Sequence, residues 1–164
     1  MAKEIERKFL VTPQDWSKQP DVQVRHITQG YISKSVKHTV RIRVLVDATS
    51  PTTCYEAYVT IKGPKHGITR AEYEYEVPYE DGVELLQMCD GNLIEKTRYT
   101  FLHKKKQCWE VDVFHGTHEG LTVAEIELDS ELTEVIYPHW VLLPEVTHDR
   151  RFTNSYLSAH VIKS

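Results

Sequence analysis

Charged and apolar residues alternate with a period of two along most of this chain, the spacing of extended strands whose two faces carry different chemistry. In Lys3-Glu4-Ile5-Glu6-Arg7-Lys8-Phe9, the side chains of Glu4, Glu6 and Lys8 share one face, and Ile5 and Phe9 share the other. The same pattern predicts strands over Lys3–Val11, His26–Ser35, Thr39–Val46, Tyr55–Lys62, Arg70–Pro78, Ile94–His103, Cys108–Phe114 and Thr122–Asp129. Turn-forming runs separate several of them: Asp47 to Pro51, Gly63-Pro64-Lys65-His66-Gly67, and His115 to Gly120. Helical spacing is confined to three places. Asp81–Asp90 carries Val83, Leu85, Leu86 and Met88, with Gly91 as its C-cap; Thr12-Pro13-Gln14-Asp15-Trp16 reads as an N-cap opening a short helix; Thr153–Ile162 reads as a terminal helix. Eight strands with mostly short connections predict a mainly β fold, either an antiparallel barrel or a two-sheet sandwich, in a single domain over residues 1–164.

The polar faces are unusual in kind. Arg41 and Arg43 oppose Val40, Ile42 and Val44; Lys62 stands with Thr60; Glu72, Glu74 and Glu76 oppose Tyr73 and Tyr75; Lys96 pairs with Arg98, Glu110 with Asp112, and Glu125 with Glu127. For one strand alone, the plain reading is a half-buried sheet with a solvated polar face. A solvated face mixes Thr, Ser, Gln and Lys, however, whereas here doublets of one sign recur. Like charges two apart on a strand repel and add nothing to folding. Six bases (Lys8, Arg41, Arg43, Lys62, Lys96, Arg98) and nine acids so placed imply a ligand that neutralises both sets. Paired carboxylates supply hard oxygen donors for Mg²⁺ or Mn²⁺. Clustered Arg and Lys supply donors for phosphate oxygens. A metal-bound polyphosphate needs both, and neither a G-x-G-x-x-G nor a G-x-x-x-x-G-K-[ST] phosphate loop is present.

Composition narrows the class further. With 40% hydrophobic and 27% charged residues among 164, the chain has the balance of a soluble globular protein. Its net charge of -4 argues against a dedicated nucleic-acid binder. No run approaches a membrane span and no apolar leader precedes the first strand, so the expected location is the cytoplasm. Cys54, Cys89 and Cys108 form an odd, scattered set, expected as small buried hydrophobes in a reducing compartment. His115 and His118 are expected in a solvated loop rather than a transition-metal site, and Lys104-Lys105-Lys106 at a solvated hairpin tip.

Read in order, these motifs resemble the CYTH superfamily of triphosphate tunnel metalloenzymes, whose hallmark is an N-terminal E-x-E-x-K, here Glu4, Glu6 and Lys8. The resemblance continues through Gln29-Gly30-Tyr31, Arg41-Ile42-Arg43, Thr60-Ile61-Lys62, Arg70 to Glu76, Lys96-Thr97-Arg98, Trp109 to Asp112, Ala124 to Glu127 and the closing Glu145-Val146-Thr147 with Asp149 and Asn154. It implies an eight-stranded antiparallel barrel with its charged faces turned into a tunnel and its apolar faces covered from outside, partly by the helices.

By that resemblance Lys8, Arg41, Arg43, Lys62, Lys96 and Arg98 grip a triphosphate, and Tyr31 offers it a hydroxyl. Glu4, Glu6, Asp112, Glu125 and Glu127 hold one or two divalent cations (Mg²⁺ or Mn²⁺), and Glu72 and Glu74 join the acidic wall, with Glu76 and Glu110 beside them. Glu4 or Glu6 orients the attacking water, Lys8 belongs to the same catalytic set, and Arg150 and Arg151 of the closing segment are solvated rather than on substrate. The implied activity is metal-dependent hydrolysis of inorganic or organic triphosphate. The alternatives are cyclisation of ATP to cyclic AMP, hydrolysis of thiamine triphosphate, and non-catalytic binding of polyphosphate or nucleotide. The expected partner is a triphosphate-bearing small molecule, without nucleic acid or membrane, bound by a monomer or homodimer. Two features depart from the resemblance: a long loop over Asp47–Thr53, and Phe152 where a tyrosine is expected.

Overall fold

The alternation of the strands closes on itself. In the computed structural model, which describes residues 3–49 and 53–160, eight antiparallel strands form a closed barrel in the order β1-β5-β4-β3-β2-β6-β7-β8. They are β1 (Lys3–Leu10), β2 (Gln23–Lys34), β3 (Thr39–Asp47), β4 (Cys54–Lys62), β5 (Thr69–Val77), β6 (Asp90–His103), β7 (Gln107–His115) and β8 (Thr122–Glu127). Closure is made by β1, which pairs Glu4 with Arg70 on β5, and Glu6 and Lys8 with Glu127 and Glu125 on β8. The barrel alternative therefore holds over the sandwich. Boundaries moved most at β2, which starts at Gln23 rather than His26, and at β6, which starts at Asp90 rather than Ile94.

The apolar faces point outward, and the largest core lies outside the barrel. Phe9, Trp109, Val111, Ala124 and Ile126 from β1, β7 and β8 pack with Phe101 of β6 under Trp16, Leu128, Val135 and Trp140. Trp140 meets Trp16 and Trp109 edge-on, with ring centroids 5.0 and 5.3 Å apart. At roughly 1.5–3 kcal/mol for each large apolar side chain fully buried, this layer is the main hydrophobic contribution to the fold. Its cover is the short turn that carries Trp16 together with the irregular chain after β8, rather than an α-helix. Helix α1 (Tyr79–Leu86) covers the β3–β4 side, where Gly82 lies so close to Ala57 that a Cβ would collide with it.

All three helix expectations required correction. Helix α1 ends at Leu86, short of Asp90, because Asp90 is already paired with Tyr31 in the sheet. Gly91 is thus no C-cap; it sits in β6 at φ 72°, where the Ser158 carbonyl approaches too closely for a side chain. Thr12 does not start a helix: residues 12–15 are irregular, the Thr12 N–H donates to the Trp140 carbonyl, and Asp15 instead caps a three-residue 3-10 turn, Trp16–Lys18, that buries Trp16. The terminal helix shrinks to α2 (Asn154–Leu157), preceded by a 3-10 turn at Arg150–Phe152. It stops where the Ser158 carbonyl leaves the helix to accept the Asn92 N–H at 2.7 Å. Residues 161 and 162 of the expected helix, and residues 50–52 of the loop expected over Asp47–Thr53, lie outside the described residues.

Smaller expectations divide. Lys104–Lys106 forms the exposed tip between β6 and β7. All three cysteines are free, but Cys54 and Cys108 are exposed at strand margins rather than buried. His118 is buried, not solvated; its Nε2 bonds the Leu157 carbonyl at 2.7 Å, while His115 bonds Thr97 Oγ1 at 2.7 Å. No helix among the described residues is long and apolar enough to cross a membrane.

Candidate active site

Inward-facing positions from every strand line a cavity of about 280 Å³. Most small-molecule sites are chiefly apolar; this one is walled by carboxylates, ammonium and guanidinium groups and hydroxyls. Strand direction separates its ends. Lys8, Tyr31, Thr39, Lys62 and Arg70 lie toward the end where Thr153, Asn154 and Ser155 close in, whereas Arg25, Glu56, Glu110 and Glu127 lie toward the other. Leu157 plugs the first end by packing against Ile94 and Phe114.

The ion pairs fall into groups. On β1 and its neighbours, Lys62 Nζ donates to both oxygens of Glu4 at 2.9 and 2.8 Å and stands 3.3 Å from Glu72. Lys8 Nζ lies between Glu6 and Glu125, at 3.9 and 3.7 Å. Burial depresses the Lys8 pKa, but Glu125, Glu6 and Glu4 outweigh it and hold it above the ordinary lysine value. On β6 and β7, Arg98 grips Asp112 with two bonds of 2.7 and 2.9 Å and reaches Glu110 at 3.0 Å. Lys96 donates to the same Asp112 at 2.6 Å and to Asn154 Oδ1 at 3.2 Å. Burial wins at Lys96, whose pKa is lowered despite Asp112, with Arg98 and Arg43 adding repulsion.

The wall made by β3 and β2, next to β6, is less neutral. Arg41 bonds Thr60 Oγ1 at 3.2 Å and stands 3.5 Å from Glu74, but its Nε is buried without a hydrogen-bond partner among the described residues. Among the described residues, Arg43 donates only to the neutral Gln29 Oε1, at 2.9 Å, and the Gln29 amide nitrogen is itself buried and unpartnered. Burial, then Arg41 and Arg98, lowers the Arg43 pKa to about 9. A buried donor left unpaired costs about 1–3 kcal/mol, and more when charged. This wall therefore gains most from an anion.

The acids show the complementary stress. Burial, followed by Glu4, Glu110, Glu72 and Glu6, raises the Glu127 pKa to about 7. Burial and Glu6 also raise that of Glu125. Crowded hard-oxygen donors that resist ionising together fit a divalent cation, which relieves their repulsion. Among the described residues, no three acidic, His or Cys side chains already converge tightly enough to enclose an ion. Their chemistry fits the metal, although Glu6 and Glu125 are turned toward Lys8 and Glu4 toward Lys62.

A family model described as the CYTH domain matches residues 2–143. The chain belongs to the CYTH domain family. A protein named inorganic triphosphatase from Acetivibrio thermocellus is 41% identical over 166 aligned positions, covering 100% of this chain and 98% of the relative. Another of that name, from Nitrosomonas europaea, is 32% identical over 96% of this chain and 98% of its own. The crystal structure of an inorganic triphosphatase superposes with a TM-score of 0.65 at 30% identity, over 98% of this chain and 97% of that one.

In this CYTH domain, Glu4, Glu6, Lys8, Tyr31, Arg41, Arg43, Lys62, Glu72, Glu74, Arg98, Glu125 and Glu127 all line the cavity. Lys96 and Asp112 do not: they sit behind its wall, with Lys96 under the Phe114 ring at 5.4 Å, and both charges are spent on protein partners. Glu110 does line the cavity; Glu76 does not. Arg150 and Arg151 stay outside, Arg151 bonded to Asp149 and Arg150 over the Tyr156 ring. Sequence reasoning missed Arg25, Glu56, Lys65, Arg70 and the Thr153–Ser155 lip as lining groups. Glu56 shares the inward parity of Tyr58 and already lay within the expected strand, whereas Arg25 shares that of Gln29 and needed β2 to start earlier than His26.

Proposed function

We propose that this CYTH domain hydrolyses inorganic triphosphate inside its barrel, with a divalent cation bound to the tunnel carboxylates. One observation carries the reading: Arg41, with a buried unpartnered Nε, and Arg43, with no carboxylate partner among the described residues, face Glu125 and Glu127 across one small polar cavity, where burial and neighbouring carboxylates raise both acids' pKa values. The naming of the full-length relatives supports the same substrate.

Phosphoryl transfer depends on positioning and charge stabilisation more than on covalent chemistry. Arg41, Arg43, Lys8, Lys62 and Arg98 would hold the phosphoryl oxygens and stabilise the charge that builds on the leaving pyrophosphate. Tyr31, whose hydroxyl is near enough to influence Lys8, would add a hydrogen bond. Glu4, Glu6, Glu125 and Glu127 would hold Mg²⁺ or Mn²⁺, with Glu72 and Glu74 completing the negative wall. The bound cation supplies Lewis-acid polarisation and neutralises phosphate charge. A free carboxylate of Glu4 or Glu6 would orient water and accept its proton as the P–O bond to pyrophosphate breaks and the water oxygen bonds to phosphorus. Asp112, with both oxygens engaged, is better suited to aiming Lys96 and Arg98 than to binding metal.

Incubation with inorganic triphosphate, ATP or thiamine triphosphate, each with Mg²⁺ or Mn²⁺, tests the reading. Phosphate and pyrophosphate should form fastest from inorganic triphosphate. Cyclic AMP from ATP, or binding without turnover, would replace it.

A further inference from the structure

The cations of the tunnel differ in what neutralises them. Lys8, Lys62, Arg41 and Arg98 each have a carboxylate within 4 Å, and so does Lys96 behind the wall. Lys65, at the turn between β4 and β5, lines the same cavity, yet its Nζ has only the Thr147 carbonyl, at 3.3 Å. It is half-buried, and no carboxylate among the described residues pairs with it.

The turn that carries Lys65 is braced from below. Gly63 N–H bonds the Ala71 carbonyl at 3.0 Å, and the Gly63 carbonyl accepts two bonds from the Arg70 guanidinium, at 3.1 and 2.7 Å. Arg70 is thereby committed to the hairpin, whereas Lys65 is presented on a preformed support. Nor is Lys65 needed to hold the closing segment. Thr147 Oγ1 accepts the Lys8 N–H at 3.0 Å, Val146 N–H bonds the Lys8 carbonyl at 2.9 Å, and Glu145 takes two bonds from Arg7, at 2.8 and 3.0 Å. The long bond to the Thr147 carbonyl is the one easily given up. Burial, followed by the Lys8 charge, lowers the Lys65 pKa, so an anion between the two lysines would relieve their repulsion.

We infer that Lys65 is a further phosphate-binding group, which reaches over the closed end of the tunnel and takes a terminal phosphoryl group of the triphosphate alongside Lys8. This rests on the triphosphatase reading above and adds a subsite to it. A half-buried ammonium bonded to phosphate makes a charge-assisted contact, worth about tenfold in affinity when removed.

The test compares wild type, Lys65→Ala and Lys65→Arg by steady-state kinetics on inorganic triphosphate, and by the thermal midpoint with and without that ligand. Lys65→Ala should raise KM about tenfold with kcat changed by less than about threefold. Its ligand-free midpoint should match wild type, its triphosphate-induced rise should shrink, and Lys65→Arg should recover most of the affinity. Unchanged KM in Lys65→Ala overturns the inference. So does a lowered ligand-free midpoint with an unchanged triphosphate-induced rise, the signature of a mere tether. If wild type neither hydrolyses nor is stabilised by inorganic triphosphate, the functional reading fails and takes this subsite with it. An active wild type with an indifferent Lys65→Ala removes the subsite alone.

Discussion

Two walls of one tunnel treat the same kind of side chain in opposite ways. On the β6–β7 wall, Lys96 and Arg98 are locked onto Asp112 and Glu110 by bonds of 2.6–3.0 Å, a network already neutral without ligand. On the β2–β3 wall, among the described residues, Arg43 has only a glutamine oxygen, and Arg41 keeps a buried nitrogen idle. Buried ion pairs are poor evidence of net stabilisation, but breaking one leaves an uncompensated charge. The first wall thus acts as a scaffold that fixes geometry, and the second holds electrostatic cost in reserve for an anion. The difference separates bases already neutralised by carboxylates, of which Arg98 still reaches the cavity and Lys96 does not, from bases left short of partners, although all four look alike in the strand pattern.

The comparison is tested most severely on the idle wall. Arg41→Ala should lower kcat/KM for inorganic triphosphate on the order of 10³-fold, about 4 kcal/mol of transition-state stabilisation, with the thermal midpoint little changed. Near-normal turnover would show that this wall does not face the substrate. On the locked wall the order reverses. Asp112→Asn should destabilise the fold by about 3 kcal/mol, lowering Tm by roughly 6–12 °C, because Lys96 and Arg98 lose their shared carboxylate. If thermal denaturation of Asp112→Asn matches wild type while metal affinity collapses, Asp112 is a ligand and the division between the walls is wrong.

How much of this was readable beforehand depends on the range of the interaction. The inward parity of Glu4, Glu6 and Lys8, or of Arg41 and Arg43, is a property of neighbouring residues and was fully visible in the alternation. The depth of a residue within the barrel is not. Lys96 and Arg98 share one strand face, yet only Arg98 reaches the cavity, because Phe114, Asn154 and Leu157 fill the space before Lys96. Of these, Asn154 lies 58 positions from Lys96. His118 misled for the same reason: its partner is the Leu157 carbonyl, 39 positions away. Lys65 lies in a turn without period, so no face could be assigned to it. The cover supplied by Val135 and Trp140 also comes from a stretch that has no regular spacing.

A milder change probes the acidic side of the contrast. Because burial and neighbouring carboxylates hold the Glu127 pKa near 7, a divalent cation must compete there with a proton. The apparent affinity for Mg²⁺ should therefore rise as pH increases through about 7, and Glu127→Gln should flatten that rise while weakening Mg²⁺ about tenfold. For stability without metal the sign is opposite. A carboxyl raised from 4.5 to about 7 favours the folded state below 4.5, and that contribution is lost as pH climbs toward 7. Magnesium titrations of activity at pH 6, 7 and 8 on both proteins decide the point; an identical pH dependence would remove Glu127 from the metal set.

The external position of the aromatic core has a practical consequence for spectroscopy. All three indoles of the chain, Trp16, Trp109 and Trp140, are clustered on the far side of the wall from the cavity. Their emission is accordingly a gauge of whether the barrel's jacket remains fastened, and is nearly blind to what enters the lumen. An optical titration of ligand would need a reporter placed on the other side of the strands.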